Sequence, residues 1–209
     1  MTRRFLLLWL LGWTSELAAG AGPPPGRDLG QGLVYVRVRE LPADLPAKPE
    51  GKVPASVIDV RYVRAGPEAA TAFSAWLKFR ATTRSPVFVL ANRETSGELR
   101  QALRAPHHGS GIVVIGIAHA DFEPDVGVRA TAEEEKAAYD ALGDGIPVAS
   151  LLKDNPAKER IDEASLARER PASTMGEERP GRKTVPPIID ATLQRAVHLH
   201  RSLAALRRS

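Results

Sequence analysis

The chain has 209 residues, with 29 Lys and Arg against 25 Asp and Glu, a net charge of +4 and no cysteine. That length suits one domain able to bury a proper core. The absence of thiols excludes disulfides and thiolate metal sites, and no Lys/Arg block stands beside interleaved aromatics, which argues against nucleic acid as a partner.

Residues 1–21 read as a secretory signal. Arg3 and Arg4 give a positive start, Phe5 to Trp13 form an apolar run, and Ala19-Gly20-Ala21 offers the small residues that a signal peptidase reads. The apolar run is shorter than the ~20 residues of a permanent bilayer-spanning helix. Glu16 and the Pro23-Pro24-Pro25 run stop any longer one. The expectation is a secreted or periplasmic protein with no permanent membrane span after cleavage. A retained anchor is the competing reading, and the Arg pair leaves the twin-arginine export route open beside the general one.

Residues 22–32 form a Pro/Gly-rich lead, expected to be extended and mobile. Leu33 to Arg39 alternates like a strand, residues 41–54 carry prolines and read as a loop, and Val57 to Val60 is a compact apolar strand. From Glu68 to Phe79 the period becomes helical, with Phe73, Trp76 and Leu77 on one face. Val87 to Ala91 is a strand buried on both faces, Thr95 to Leu103 a helix, and Ile112 to Ile115 a third buried strand. Strand, helix, strand, helix, strand with apolar strands predicts an α/β fold with a mostly parallel sheet and right-handed crossovers.

The rest is more polar. Thr131 and Glu134 make a capping box before a helix to about Leu142, and a weaker helix covers Lys158 to Arg168. Residues 169–187 have a linker composition. Asp190 caps a final helix in 188–209, which docks through Leu193, Val197 and Leu203. The expected organisation is therefore signal 1–21, lead 22–32, α/β domain 33–168, linker 169–187 and C-terminal helix 188–209.

In an open parallel sheet, functional groups gather on loops beyond the carboxyl ends of the strands. The loop Asn92-Arg93-Glu94-Thr95-Ser96-Gly97-Glu98 carries the most chemistry. A hydroxyl at a helix start lies near free backbone N–H groups and the positive end of the helix dipole, a good place for a nucleophile. The same string is also a capping box, with Thr95 taking the amide three residues on and Glu98 reaching back, and it contains no base. His119 near Asp121 and Glu123 could act as a base or ligand, but such a loop is usually just solvated, so no metal or cofactor is expected. His107 and His108 lie in a Pro/Gly-flanked turn, and His198 and His200 read as surface residues.

Val57-Ile58-Asp59-Val60-Arg61, the run Pro86 to Asn92, Thr95-Ser96 with Glu98, and Ile112 to Gly116 together resemble the core of the tail-specific, or C-terminal processing, serine peptidases. Gly32 to Val38 is similar to that domain's opening strand, Glu123-Pro124-Asp125-Val126 to the segment after its last core strand, and Asp190 with Leu193 to Ala196 to its terminal helix. The likeness spans most of residues 32–200. It implies a crotonase/Clp-protease-like core, with Ser96 as the catalytic candidate and Gly66, Asn92, Thr95 and Gly97 as candidate binding residues around the cleft.

The chain departs from the family where the chemistry lies. The family's Asn and paired glycines after the second strand are replaced by Tyr62-Val63-Arg64-Ala65-Gly66, where only Gly66 corresponds. Thr95 and Glu98 are three apart, so Ser96 is the nucleophile only with residues deleted around it. No Lys occurs between Lys78 and Lys136, and no His precedes His107. A serine without a positioned base loses most of its covalent catalysis. The resulting expectation is an exported, non-catalytic peptidase-like domain that binds a peptide or protein partner. The alternatives are a working serine hydrolase using Ser96 and a structural homo-oligomer paired through its last helix.

Overall fold

The computed structural model describes residues 26–47, 51, 53–104, 111–152 and 187–207. The expected signal, the 158–168 helix, residues 169–186 of the expected linker, and His107 and His108 lie outside the described residues.

Six strands form one sheet in chain order: β1 (Arg27–Asp28), β2 (Leu33–Arg37), β3 (Ala55–Asp59), β4 (Val87–Leu90), β5 (Ile112–Gly116) and β6 (Val126–Gly127). All neighbours are parallel except β1 on β2. The four central strands carry Val, Ile, Leu and Phe on both faces, and β3 and β4 are buried throughout. That pattern requires a layer on each side of the sheet.

Helices α1 (Pro67–Ala81) and α2 (Gly97–Arg104) cross over between β3 and β4 and between β4 and β5. Both pack on one face, as expected when crossovers of one hand step across a sheet in one direction. Phe73 and Leu77 of α1 and Leu99 and Leu103 of α2 meet Ile58, Val60, Val89 and Val114 there. On the other face lie α3 (Ala132–Gly143), a 3₁₀ turn at Val148–Leu151, and α4 (Ala191–Leu206). Their Ala141, Leu142, Leu193 and Val197 cover Tyr35, Val57, Phe88 and Ile115.

The local signals explain the helix boundaries. Pro67 opens α1 with its missing N–H where no partner exists, and Glu68 and the Lys78/Arg80 pair complement the dipole. Thr131 and Glu134 form the expected capping box, and the Asp190 carboxylate accepts from the Leu193 amide. Trp76 is half buried beside Phe73, and its indole N–H donates to the Pro46 carbonyl at 3.0 Å, holding the loop after β2.

Four expectations need correction. Residues 27–28 of the lead are an edge strand rather than free chain. Thr95 does not cap α2, because that helix starts at Gly97 and the Thr95 hydroxyl is used between strand ends, donating to Val60 O and accepting from the Asn92 amide, each at 3.1 Å. Leu203 stays 38% exposed, one turn beyond the docked part of α4. His200 is buried, with its Nε2 3.1 Å from Gln31 O and its ring edge-on to Phe88.

Candidate functional site

Asp59 and Arg61 lie two apart at the end of β3, so their side chains leave the sheet on the same face, toward α3 and α4. Arg61 is fully buried, and its planar fork grips two carboxylates. Nε and Nη2 donate to Asp59 at 3.0 and 2.7 Å, while Nη1 and Nη2 donate to Asp190 at 3.1 and 2.8 Å. Tyr35 on β2 adds its hydroxyl to Asp59 at 2.8 Å. Burial alone would lower the Arg61 pKa, but Asp59 and Asp190 hold it well above the ordinary value. Burial beside Asp59 pushes the Tyr35 hydroxyl up.

A third acid, Glu135 of α3, stands beside this pair at 4.0 Å from Arg61 Nη1 and is 6% exposed. Its carboxyl accepts from Asn92 Nδ2 at 2.9 Å and from the Thr192 hydroxyl at 3.4 Å. Burial raises its pKa. The Asn92 bond and Arg61 pull the other way, and the Asp190 and Asp59 charges add to the rise. Asn92 in turn organises the end of β4. Its Oδ1 accepts from the amides of Glu94 and Thr95 at 3.1 Å each and from that of Tyr62 at 3.4 Å.

After Arg61 the chain turns through Tyr62, whose φ of 62° is left-handed and unusual for a large side chain. Such a conformation costs about 1–2 kcal/mol. The ring packs on Tyr139 with centroids 4.7 Å apart, which helps to hold it. Burial raises the Tyr62 hydroxyl to about 12.

These elements bound a cleft of about 390 Å³ beyond the carboxyl ends of β3, β4 and β5, with the first turn of α3 as its other wall. The strand order never reverses, so the cleft is made by α3 leaning over the strand ends rather than by a switch point. Tyr62, Asn92, Arg93, Glu94, His119, Glu135 and Lys136 supply its polar and aromatic lining.

Of the sequence candidates, Asn92 lines the cleft and Thr95 braces the strands behind it. Gly66 precedes α1 and Gly97 opens α2, and a side chain at either would meet nothing within 4 Å. Ser96 is not in the lining. Its Oγ is buried and has no hydrogen-bond partner among the described residues, and its amide donates to Val63 O at 3.0 Å. His119 lines the cleft, with its Nδ1 2.7 Å from Asp121. Hydrogen bonds from Arg100 and His119 hold Asp121 down at about 2. Among the described residues, no group of three or more His, Asp or Glu is placed to hold a metal ion. None of the described helices is long and apolar enough to cross a membrane.

Sequence reasoning did not single out Tyr35, Tyr62 or Glu135, and it read Asp190 as a cap and as part of the terminal helix, not as a partner of Arg61. The available signal was Asp59-Val60-Arg61, opposite charges on one side of an otherwise apolar strand. No protein-family model, curated protein or solved structure matches the chain.

Proposed function

We propose that this is an exported, non-catalytic binding domain built on a peptidase-like α/β core, and that its cleft takes a segment of a peptide or protein partner. The crotonase/Clp-protease likeness belongs to this reading, resting on the residue runs around β3, β4 and β5 and on the consecutive parallel strand order. Export rests on the first twenty-one residues.

One observation carries the non-catalytic part: four backbone amides of the Ser96 loop and the turn facing it already have acceptors. Those of Tyr62, Glu94 and Thr95 go to Asn92, and that of Ser96 goes to Val63. An oxyanion hole needs such donors free and aimed at the developing charge. Ser96 also lacks a base within hydrogen-bond reach among the described residues.

The binding part rests on the cleft. It has a few convergent polar groups and an aromatic wall, the usual make-up of a recognition site. The test is to titrate a library of unstructured peptides into ¹⁵N-labelled protein. Binders should shift the amides of Tyr62, Arg93, Glu94, His119 and Lys136 together. Shifts confined to the opposite end of the sheet, or none across the library, would reject the cleft as the site.

A further inference from the structure

The cleft's charges are arranged unevenly. Both cations in the lining have an acid of their own: Arg93 with Glu94 at 3.2 Å and Lys136 with Asp140 at 2.5 Å. The buried acid of the lining, Glu135, has only a share of Arg61, at 4.0 Å and without a hydrogen bond to it. The nearest guanidinium, Arg61, spends its donors on Asp59 and Asp190, so three buried carboxyl groups face one cation. A buried carboxylate whose neutral hydrogen-bond donors and shared cation do not balance its charge is expensive. The cheapest remedies are a proton on Glu135 or a second cation beside it.

The wall above Glu135 suits a cation. Tyr62 presents its ring to the cleft, and Lys136 Nζ already stands 5.6 Å from that ring. An ammonium or guanidinium group gains from such a face, most of all where water is excluded. The left-handed turn at Tyr62 holds the ring in that place.

We propose that the cleft recognises a basic side chain of its peptide or protein partner, seated between Glu135 and the Tyr62 ring. This rests on the peptide-binding reading and specifies which residue the cleft selects. Entry of the cation is linked to Glu135: it favours the carboxylate, so any proton the carboxyl holds leaves to solvent. Burial, which raises the Glu135 pKa, makes that release larger. The groups facing Glu135 are Asp59 on β3 and Arg61 just after it, Asn92 after β4, and Asp190 and Thr192 at the start of α4. Lys136 and Tyr62 share the cleft wall with it.

The experiment is isothermal titration of the full chain with three otherwise identical capped peptides carrying one central Lys, norleucine or Glu, each in two buffers of different ionisation heat. The Lys peptide should bind at least about tenfold more tightly than the norleucine peptide and should release protons. Glu135→Gln should bring its affinity down to the norleucine level and abolish the release. Lys136→Met, which removes a competing cation, should tighten it. Equal or tighter binding of the norleucine or Glu peptide overturns this inference alone, as does a folded Glu135→Gln that keeps both affinity and proton release. Failure of all three peptides to bind removes the peptide-binding reading and this inference with it.

Discussion

Arg61 and Asp190, 129 positions apart, meet through two buried hydrogen bonds at 3.1 and 2.8 Å and tie the start of α4 to the end of β3. The same carboxylate caps α4 through Leu193 N at 2.9 Å. One side chain thus both starts the helix and fixes where it docks.

Asp190→Ala removes both functions and leaves the Arg61 charge undercompensated in the core. Breaking a buried pair in this way costs about 3–5 kcal/mol. Asp190→Asn keeps the capping oxygen, so it should recover only the ~1 kcal/mol that a cap supplies. Urea unfolding measures both, and a loss below about 1 kcal/mol for the alanine variant, the scale of a surface change, would show that the pair is not buried.

Glu135 should make stability depend on pH in a definite direction. Its folded pKa lies above the ordinary 4.5, mainly through burial, so the folded state holds the proton more tightly than the unfolded chain. That contribution is fully present below 4.5 and is lost as pH rises through the folded pKa. Glu135→Gln should abolish this decline while keeping the Asn92 neighbour. Unfolding curves recorded from pH 4.5 upward decide it, and parallel declines in wild type and variant would assign the effect to another group.

Thr95 and Ser96 should behave in opposite ways although they are neighbours. Thr95→Val strands the Val60 carbonyl and the Asn92 amide, at about 1–3 kcal/mol for buried unpaired groups. Thr95→Ser should retain most of that. Ser96→Ala removes a hydroxyl with no partner among the described residues and should stay within about 0.5 kcal/mol. Equal losses at both positions would show that the Ser96 hydroxyl makes a stabilising bond of its own.

Gly116 lets β5 approach the end of β4. A Cβ there would lie 2.2 Å from Ala91 O and 3.1 Å from the Phe122 ring. Gly116→Ala should therefore destabilise by about 1–3 kcal/mol, as overpacking does. A thermal midpoint unchanged from wild type would contradict the close approach.

The sheet was legible because β2 to β5 are apolar runs, β3 to β5 separated by helical periods, and a parallel sheet covered on both faces leaves that signature. Thr131 and Asp190 announced their helices by residue type alone. The edge strands did not, since two-residue segments such as Arg27–Asp28 have no period to read. Thr95-x-x-Glu98 matched a capping box, but the competing acceptor at Val60 is 35 positions away and invisible locally. Glu135 hid in the run Glu133-Glu134-Glu135, which looks like a solvated first turn until α4 and Asn92 close over its third member. The site was obscure because Arg61 meets Asp190 across 129 positions, and Glu135 meets Asn92 and Thr192 across 43 and 57.

The most direct measurement treats purified wild type and Ser96→Ala with a fluorophosphonate probe and unstructured peptide substrates. Both proteins should show the same background labelling and no cleavage, because the amides of Tyr62, Glu94, Thr95 and Ser96 already have acceptors and the Ser96 hydroxyl has no base within reach among the described residues. Labelling or cleavage in wild type that vanishes in Ser96→Ala would make this a working serine hydrolase and contradict the account.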